Sequence, residues 1–75
     1  MTKVSAQYLE GIKEGRRMTT WAKLDSFYSR EWLEDNIISL KLLRLKMAPL
    51  ANTKREIEFF DGQIDFYVNQ QTESK

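Results

Sequence analysis

Cysteine and histidine are both missing from this 75-residue chain. Without cysteine there are no disulfides and no thiolate metal sites. Without histidine the commonest metal ligand and the commonest general base are gone. Only carboxylate and carbonyl oxygens remain, and those suit weakly held hard cations. No metal or cofactor is therefore expected. Glycine is scarce and scattered: Gly11, Gly15 and Gly62 stand alone and form no loop that could cradle a phosphate. No run of about 18 apolar residues exists, so no segment is expected to span a membrane. The stretch from Met1 to Glu10 is polar and lacks the apolar core of a signal peptide. Together with the missing cysteine this reads as a soluble protein of a reducing cytoplasm.

What is present is an ordinary folding composition, 41% hydrophobic and 31% charged. At this length the chain is one domain, and it buries only a modest share of its surface. Small scaffolds are commonly stapled by disulfides, a metal or association with another chain. The first two are excluded, which leaves self-association or a partner. The net charge of +1 creates no global attraction to nucleic acid or lipid. Its distribution is uneven. Residues 1–30 carry Lys3, Lys13, Arg16, Arg17, Lys23 and Arg30 against Glu10, Glu14 and Asp25, whereas 51–75 carry more acid than base. A basic first part folded near an acidic last helix accounts for that pattern.

The hydrophobic periodicity is helical throughout. Val4, Tyr8 and Ile12 recur every four residues and predict a helix over 3–18, weakened by Gly11 and Gly15. These two glycines read as tolerated within a frayed helix rather than as a packing notch. Thr19 and Thr20 are cap-type residues, and a restart is expected there, followed by the stripe Trp21, Leu24, Phe27 and Tyr28. Ser29 is a second cap-type residue, with Arg30 and Glu31 opening the next helix, and the pattern fits both a separate 20–28 helix and one that runs on into 30–48. Pro49 disfavours helix at Ala48 and ends that helix near Met47. After a link at 50–52, Thr53-Lys54-Arg55-Glu56 has the form of a capping box ahead of a helix running to about Gln70. An Asp61-Gly62 pair between alternating apolar residues is also a β-hairpin signature. That register sets Glu58 against Asp65, so the helix is the better reading.

Two of these helices are apolar on two sides. Leu33, Asn36, Leu40, Leu43, Met47 and Leu50 form one seam, with Leu43 at its centre, and Ile57, Phe60, Ile64 and Tyr67 form its counterpart. Asn36, a polar residue in a leucine seam, either sets register or sits beside solvent. Behind the first seam lie Ile38, Leu42 and Leu45; behind the second lie Phe59 and Phe66. A helix greasy on two sides sits between two neighbours. The expected fold is all-α: an N-terminal helical segment (1–28), a long antiparallel helical hairpin (29–71) and a loose tail (72–75). The second faces, Ile38, Leu42, Leu45, Phe59 and Phe66, are the expected interface with another copy, a dimer foremost, or with a different protein.

Chemistry finds little purchase. The carboxylate pairs Glu34 with Asp35, Glu58 with Asp61, and Asp61 with Asp65 have no water-excluding cleft and no histidine to work with. No enzyme is expected. The alternative is a small DNA-binding regulator. Lys13, Arg16, Arg17, Lys23 and Arg30 could touch phosphates, with Trp21, Tyr28 and Trp32 interleaved to stack on bases. Residues 20–37 have the length of a helix-turn-helix. Against it, the would-be recognition helix carries Glu31, Glu34 and Asp35.

The opening Ala6-Gln7-Tyr8-Leu9-Glu10-Gly11-Ile12-Lys13-Glu14-Gly15-Arg16 and the later Arg55-Glu56-Ile57-Glu58-Phe59-Phe60-Asp61-Gly62-Gln63-Ile64 resemble small accessory proteins of lambda-like temperate bacteriophages. The two segments cover about a third of the chain and contain no motif of known chemistry. The resemblance implies a helical protein that binds host or phage proteins in the host cytoplasm, and it transfers no site residues.

Overall fold

The computed structural model describes residues 5–50 and 53–73. Among these, every regular element is helical: α1 (Ala6–Leu24), α2 (Arg30–Met47) and α3 (Lys54–Glu73). Lys3 and Val4 of the expected first helix, the 51–52 link and the end of the expected tail at 74–75 lie outside the described residues.

Helix α1 starts where Ser5 caps it, its hydroxyl oxygen accepting from the Tyr8 amide at 3.1 Å. It does not restart at Thr19 and Thr20. Both hydroxyls donate back to carbonyls four residues earlier, Gly15 at 2.8 Å and Arg16 at 3.0 Å. That bonding is what lets these residues sit inside a helix. The end of α1 is a Schellman motif. Ser26 N–H donates to the Lys23 carbonyl and Phe27 N–H to the Ala22 carbonyl, around a left-handed Ser26 at φ 63°. The hydrophobic contact that accompanies such motifs is the Trp21–Phe27 ring pair, edge to face at 5.2 Å.

Helix α2 is capped by Ser29, whose side chain accepts from the Trp32 amide at 3.0 Å. It ends at Met47, ahead of Pro49. The Thr53 hydroxyl does not close a capping box. It turns back and donates to the carbonyls of Met47 and Leu50, at 2.9 and 3.0 Å, tying the start of α3 to the end of α2. Helix α3 then runs unbroken through Asp61-Gly62, and no glycine has positive φ. Thr72 and Glu73, expected in the tail, are its last residues.

Helix α3 is the centre of the fold. Against α2 its residue order is reversed: Arg44 meets Asp61, Trp32 meets Tyr67, and Tyr28 meets Gln70. Against α1 the order runs the same way, with Gly11 at Phe59 and Gly62, and Gly15 at Phe66. The side of α3 facing α1 (Phe59, Gly62, Gln63, Phe66) and the side facing α2 (Phe60, Ile64, Tyr67) differ by one residue in phase, about 100° around the axis. Helices α1 and α2 do not pack on each other.

The two packings differ in kind. Toward α3, α1 buries Gly11, Gly15, Thr19 and Ala22, a row of small residues that lets the backbones come together. A Cβ on Gly11 would collide with the Phe59 carbonyl oxygen, and a Cβ on Gly62 with the Tyr8 carbonyl oxygen. The glycines of α1 are therefore the notch, not tolerated weaknesses. Toward α2 the packing is by large side chains: Leu33, Ile37, Leu40, Ile64 and Tyr67 are buried, with Tyr28, Trp32, Phe60 and Phe66 packed around them.

This core corrects the expected seam. The buried stripe of α2 is Leu33, Ile37 and Leu40, and its next helical position is Arg44, whose guanidinium pairs with Asp61 at 2.6 Å. Leu43 lies about 80° off that stripe and is 44% exposed; Leu50 is exposed too. Asn36 donates to the Trp32 carbonyl of its own helix at 2.8 Å, so it sets no register across the pair.

Candidate interaction surfaces

The five residues expected at an interface separate into two groups. Phe59 and Phe66 are half-buried on the side of α3 facing α1: the Phe66 ring lies against Gly15, and Phe59 turns its carbonyl to Gly11 and lines an open depression with Glu10, Lys13, Glu14 and Arg17. Their neighbour is within the chain. Ile38, Leu42 and Leu45 are 57%, 53% and 70% exposed. On a helix of 3.6 residues per turn they centre roughly 145° from the buried stripe of α2, on the side turned away from α3. Three large aliphatic side chains thus share one uncovered face, with Lys41 and Lys46 beside it and Glu34 and Asp35 at its N-terminal end, all exposed. None of these four charges makes an ion pair among the described residues.

The five basic residues also separate. Lys13, Arg16 and Arg17 line one shallow depression on the outside of α1, together with Thr20, Trp21 and Leu24. Two of the three are engaged: Lys13 with Glu10 at 3.5 Å and Arg17 with Glu14 at 2.6 Å. The Arg17 guanidinium holds the Glu14 carboxyl below the usual carboxylate range, and Glu14 raises Arg17 in turn. Lys23 stands over the Tyr28 ring at 4.9 Å from its centroid, a cation–π contact at the α1–α2 corner. Arg30 is exposed at the first position of α2. The two helices of a helix-turn-helix brace each other, and α1 and α2 do not.

Periodicity missed the apolar corner formed by Trp21, Leu24 and Phe27, which are 51%, 78% and 41% exposed. They look like a core stripe in sequence. Trp21 and Leu24 lie on the side of α1 away from the Gly11, Gly15, Thr19 and Ala22 row that meets α3, and Phe27, after the Schellman turn, packs on Trp21.

Apart from the Glu10 and Glu14 pairs within α1, carboxylates also join neighbouring helices. Asp61 pairs with Arg44, and Asp65 accepts a hydrogen bond from the Tyr8 hydroxyl. That bond, with burial and the Asp65 and Asp61 charges, raises Tyr8 above the ordinary tyrosine value. Tyr67 is pushed up to about 12, by burial first and then by the Glu14 carboxylate of α1. No group of three or more His, Cys, Asp or Glu side chains able to hold a metal ion occurs among the described residues, and no helix there is long and apolar enough to cross a membrane. No protein-family model, no curated protein and no solved structure matches this chain.

Proposed function

We propose that the chain is a non-enzymatic protein-binding module, and that the outer face of α2 is its docking surface. The observation that carries this reading is the exposure of Ile38, Leu42 and Leu45 on the side of α2 facing away from α3. Uncovered apolar surface of this kind, rimmed by charge, is typical of interaction sites. The α2–α3 hairpin presents it on a rigid support, and α1 closes the other side of α3. Nothing comparable supports catalysis: the depressions are shallow, and the carboxylates lack a titratable partner set apart from water. The resemblance to temperate-phage accessory proteins suggests the setting, modulation of a host or phage process through a protein partner.

The test is capture from a bacterial lysate on immobilised protein, with Leu42→Lys beside the wild type. Leu42 is half exposed, so the variant should fold. A protein retained by the wild type and lost with Leu42→Lys supports the reading. Equal retention by both overturns it.

A second reading has one observation in its favour. Lys13, Arg16 and Arg17 share a strip with exposed Trp21, a combination suited to phosphate contact and base stacking. Filter binding of random duplex DNA at rising salt separates the two readings. A DNA-binding protein should show affinity that falls steeply with salt.

A further inference from the structure

We infer that the outer side of α1, a surface separate from the α2 face, docks on an anionic lipid bilayer. What points to it is the way charge and apolar surface are sorted around this helix. Measured from the buried row Gly11, Gly15, Thr19 and Ala22, the cations Lys13, Arg16, Arg17 and Lys23 lie at about 85–205°. No acid falls in that arc, because Glu10, Glu14 and Asp25 stand together at about 225–285°. The side turned away from α3 is therefore basic. At the C-terminal end of α1 it becomes apolar. Leu24 lies at about 185°, opposite the buried row, and is 78% exposed, with exposed Trp21 and Phe27 beside it. Trp21 and Leu24 share one open depression with Lys13, Arg16 and Arg17, so the cations and the apolar end form a continuous surface.

The chemistry of this surface selects lipid over nucleic acid. Both carry phosphates that attract the cations. An aliphatic side chain, however, gains from hydrocarbon and has no face on which a base could stack. The Trp21 ring already meets Phe27 edge to face. Leu24, Trp21 and Phe27 project from a helix end and its turn, so they enter a partner rather than receive one. A bilayer yields to such an insertion. Trp, Phe and Leu then sit at the acyl boundary while Lys and Arg stay among the headgroup phosphates, each cation adding about fivefold in affinity. Arg16 makes no ion pair among the described residues. Lys13 and Arg17 are held by Glu10 and Glu14 in surface pairs, a kind weak enough to exchange for phosphate. Asp25 is the one acid at the apolar end, and it opposes the contact. No described helix is long and apolar enough to cross a bilayer, and a contact of this kind lies on its surface.

Co-sedimentation of the full chain with vesicles tests this. Phosphatidylcholine vesicles containing about a third phosphatidylglycerol should retain the protein, less so as salt rises, and vesicles of phosphatidylcholine alone should not. Arg16→Glu and Leu24→Gln should each weaken binding about tenfold or more, and Asp25→Asn should strengthen it. Arg16 and Leu24 are exposed, so urea unfolding of their variants should match the wild type. Brominated acyl chains should quench tryptophan emission in the wild type and much less in Trp21→Phe, which keeps only Trp32. No retention on the anionic vesicles, retention indifferent to Leu24→Gln, or no quenching overturns the inference. So does binding of duplex DNA in preference to those vesicles, which would return the strip to the nucleic-acid reading. The α2 reading stands or falls separately, since Leu42 lies on another helix and takes no part in this contact.

Discussion

Single residues decide how closely the helices approach. Gly62 sits mid-helix, where alanine ordinarily gains up to about 1 kcal/mol in helix propensity. Here the added methyl would run into the Tyr8 carbonyl oxygen of α1. Forcing an atom into such a contact costs about 1–3 kcal/mol or more, so the clash outweighs the propensity. Gly62→Ala should lower stability in urea unfolding while the far-UV helical signal persists; a stabilised variant would contradict the close crossing. Ser26 presents the converse case. It holds a left-handed φ of 63° without being glycine. Ser26→Gly keeps the Schellman hydrogen bonds and removes that strain, which should raise stability by about 0.5–1 kcal/mol in the same experiment. The buried stripe makes a third test. Leu40→Ala should cost roughly 2–5 kcal/mol, and Leu43→Ala less than about 1 kcal/mol. Equal losses would return Leu43 to the core.

At the scale of elements, α1 and α2 are joined through Tyr67. Its ring stacks edge to face on Trp32 of α2 at 5.6 Å, and its hydroxyl feels Glu14 and Arg17 of α1. The folded protein holds that proton up to about 12, whereas an unfolded tyrosine releases it near 10. Between these values the native state binds more protons, so stability present below pH 10 is lost as pH rises through about 12. The loss is on the order of 2–3 kcal/mol. Tyr67→Phe should flatten the alkaline limb of a stability–pH curve, leaving only the smaller contribution of Tyr8. An unchanged limb would place the proton elsewhere. The extent of α2 was legible because Ser29, periodicity and Pro49 agree there, and α3 was placed by periodicity although Thr53 does not cap it as expected. The extent of α1 was not. Thr19 and Thr20 are chemically equal to caps, and only the row of small residues facing α3 shows that the helix passes through them.

For the whole molecule, the all-helical fold could be read from periodicity, but the arrangement could not. The second apolar face of α3 invites an external neighbour in sequence; in space Phe59 and Phe66 meet α1. The pairing was hidden because α1 offers glycines rather than large side chains, and a hydrophobic pattern does not register a partner that contributes backbone. The seam of α2 was misplaced for a related reason. Its leucines continue past Leu40, while the position that faces α3 is taken by Arg44. Of the proposed surface, Ile38, Leu42 and Leu45 were visible as a second face, and the structure leaves them uncovered.

The glycine crossing also separates two kinds of genetic lesion. At Gly15 an added methyl meets the Phe66 side chain, 3.0 Å from its Cβ and 3.1 Å from its ring. There the neighbour need give way by only a few tenths of an ångström, so Gly15→Ala should cost less stability than Gly11→Ala or Gly62→Ala. At Gly11 and Gly62 the obstacles are the main-chain oxygens of Phe59 and Tyr8. No change of residue type shortens a carbonyl. A genetic screen should therefore tolerate Gly15→Ala, and for Gly11→Ala or Gly62→Ala it should recover true reversion to glycine.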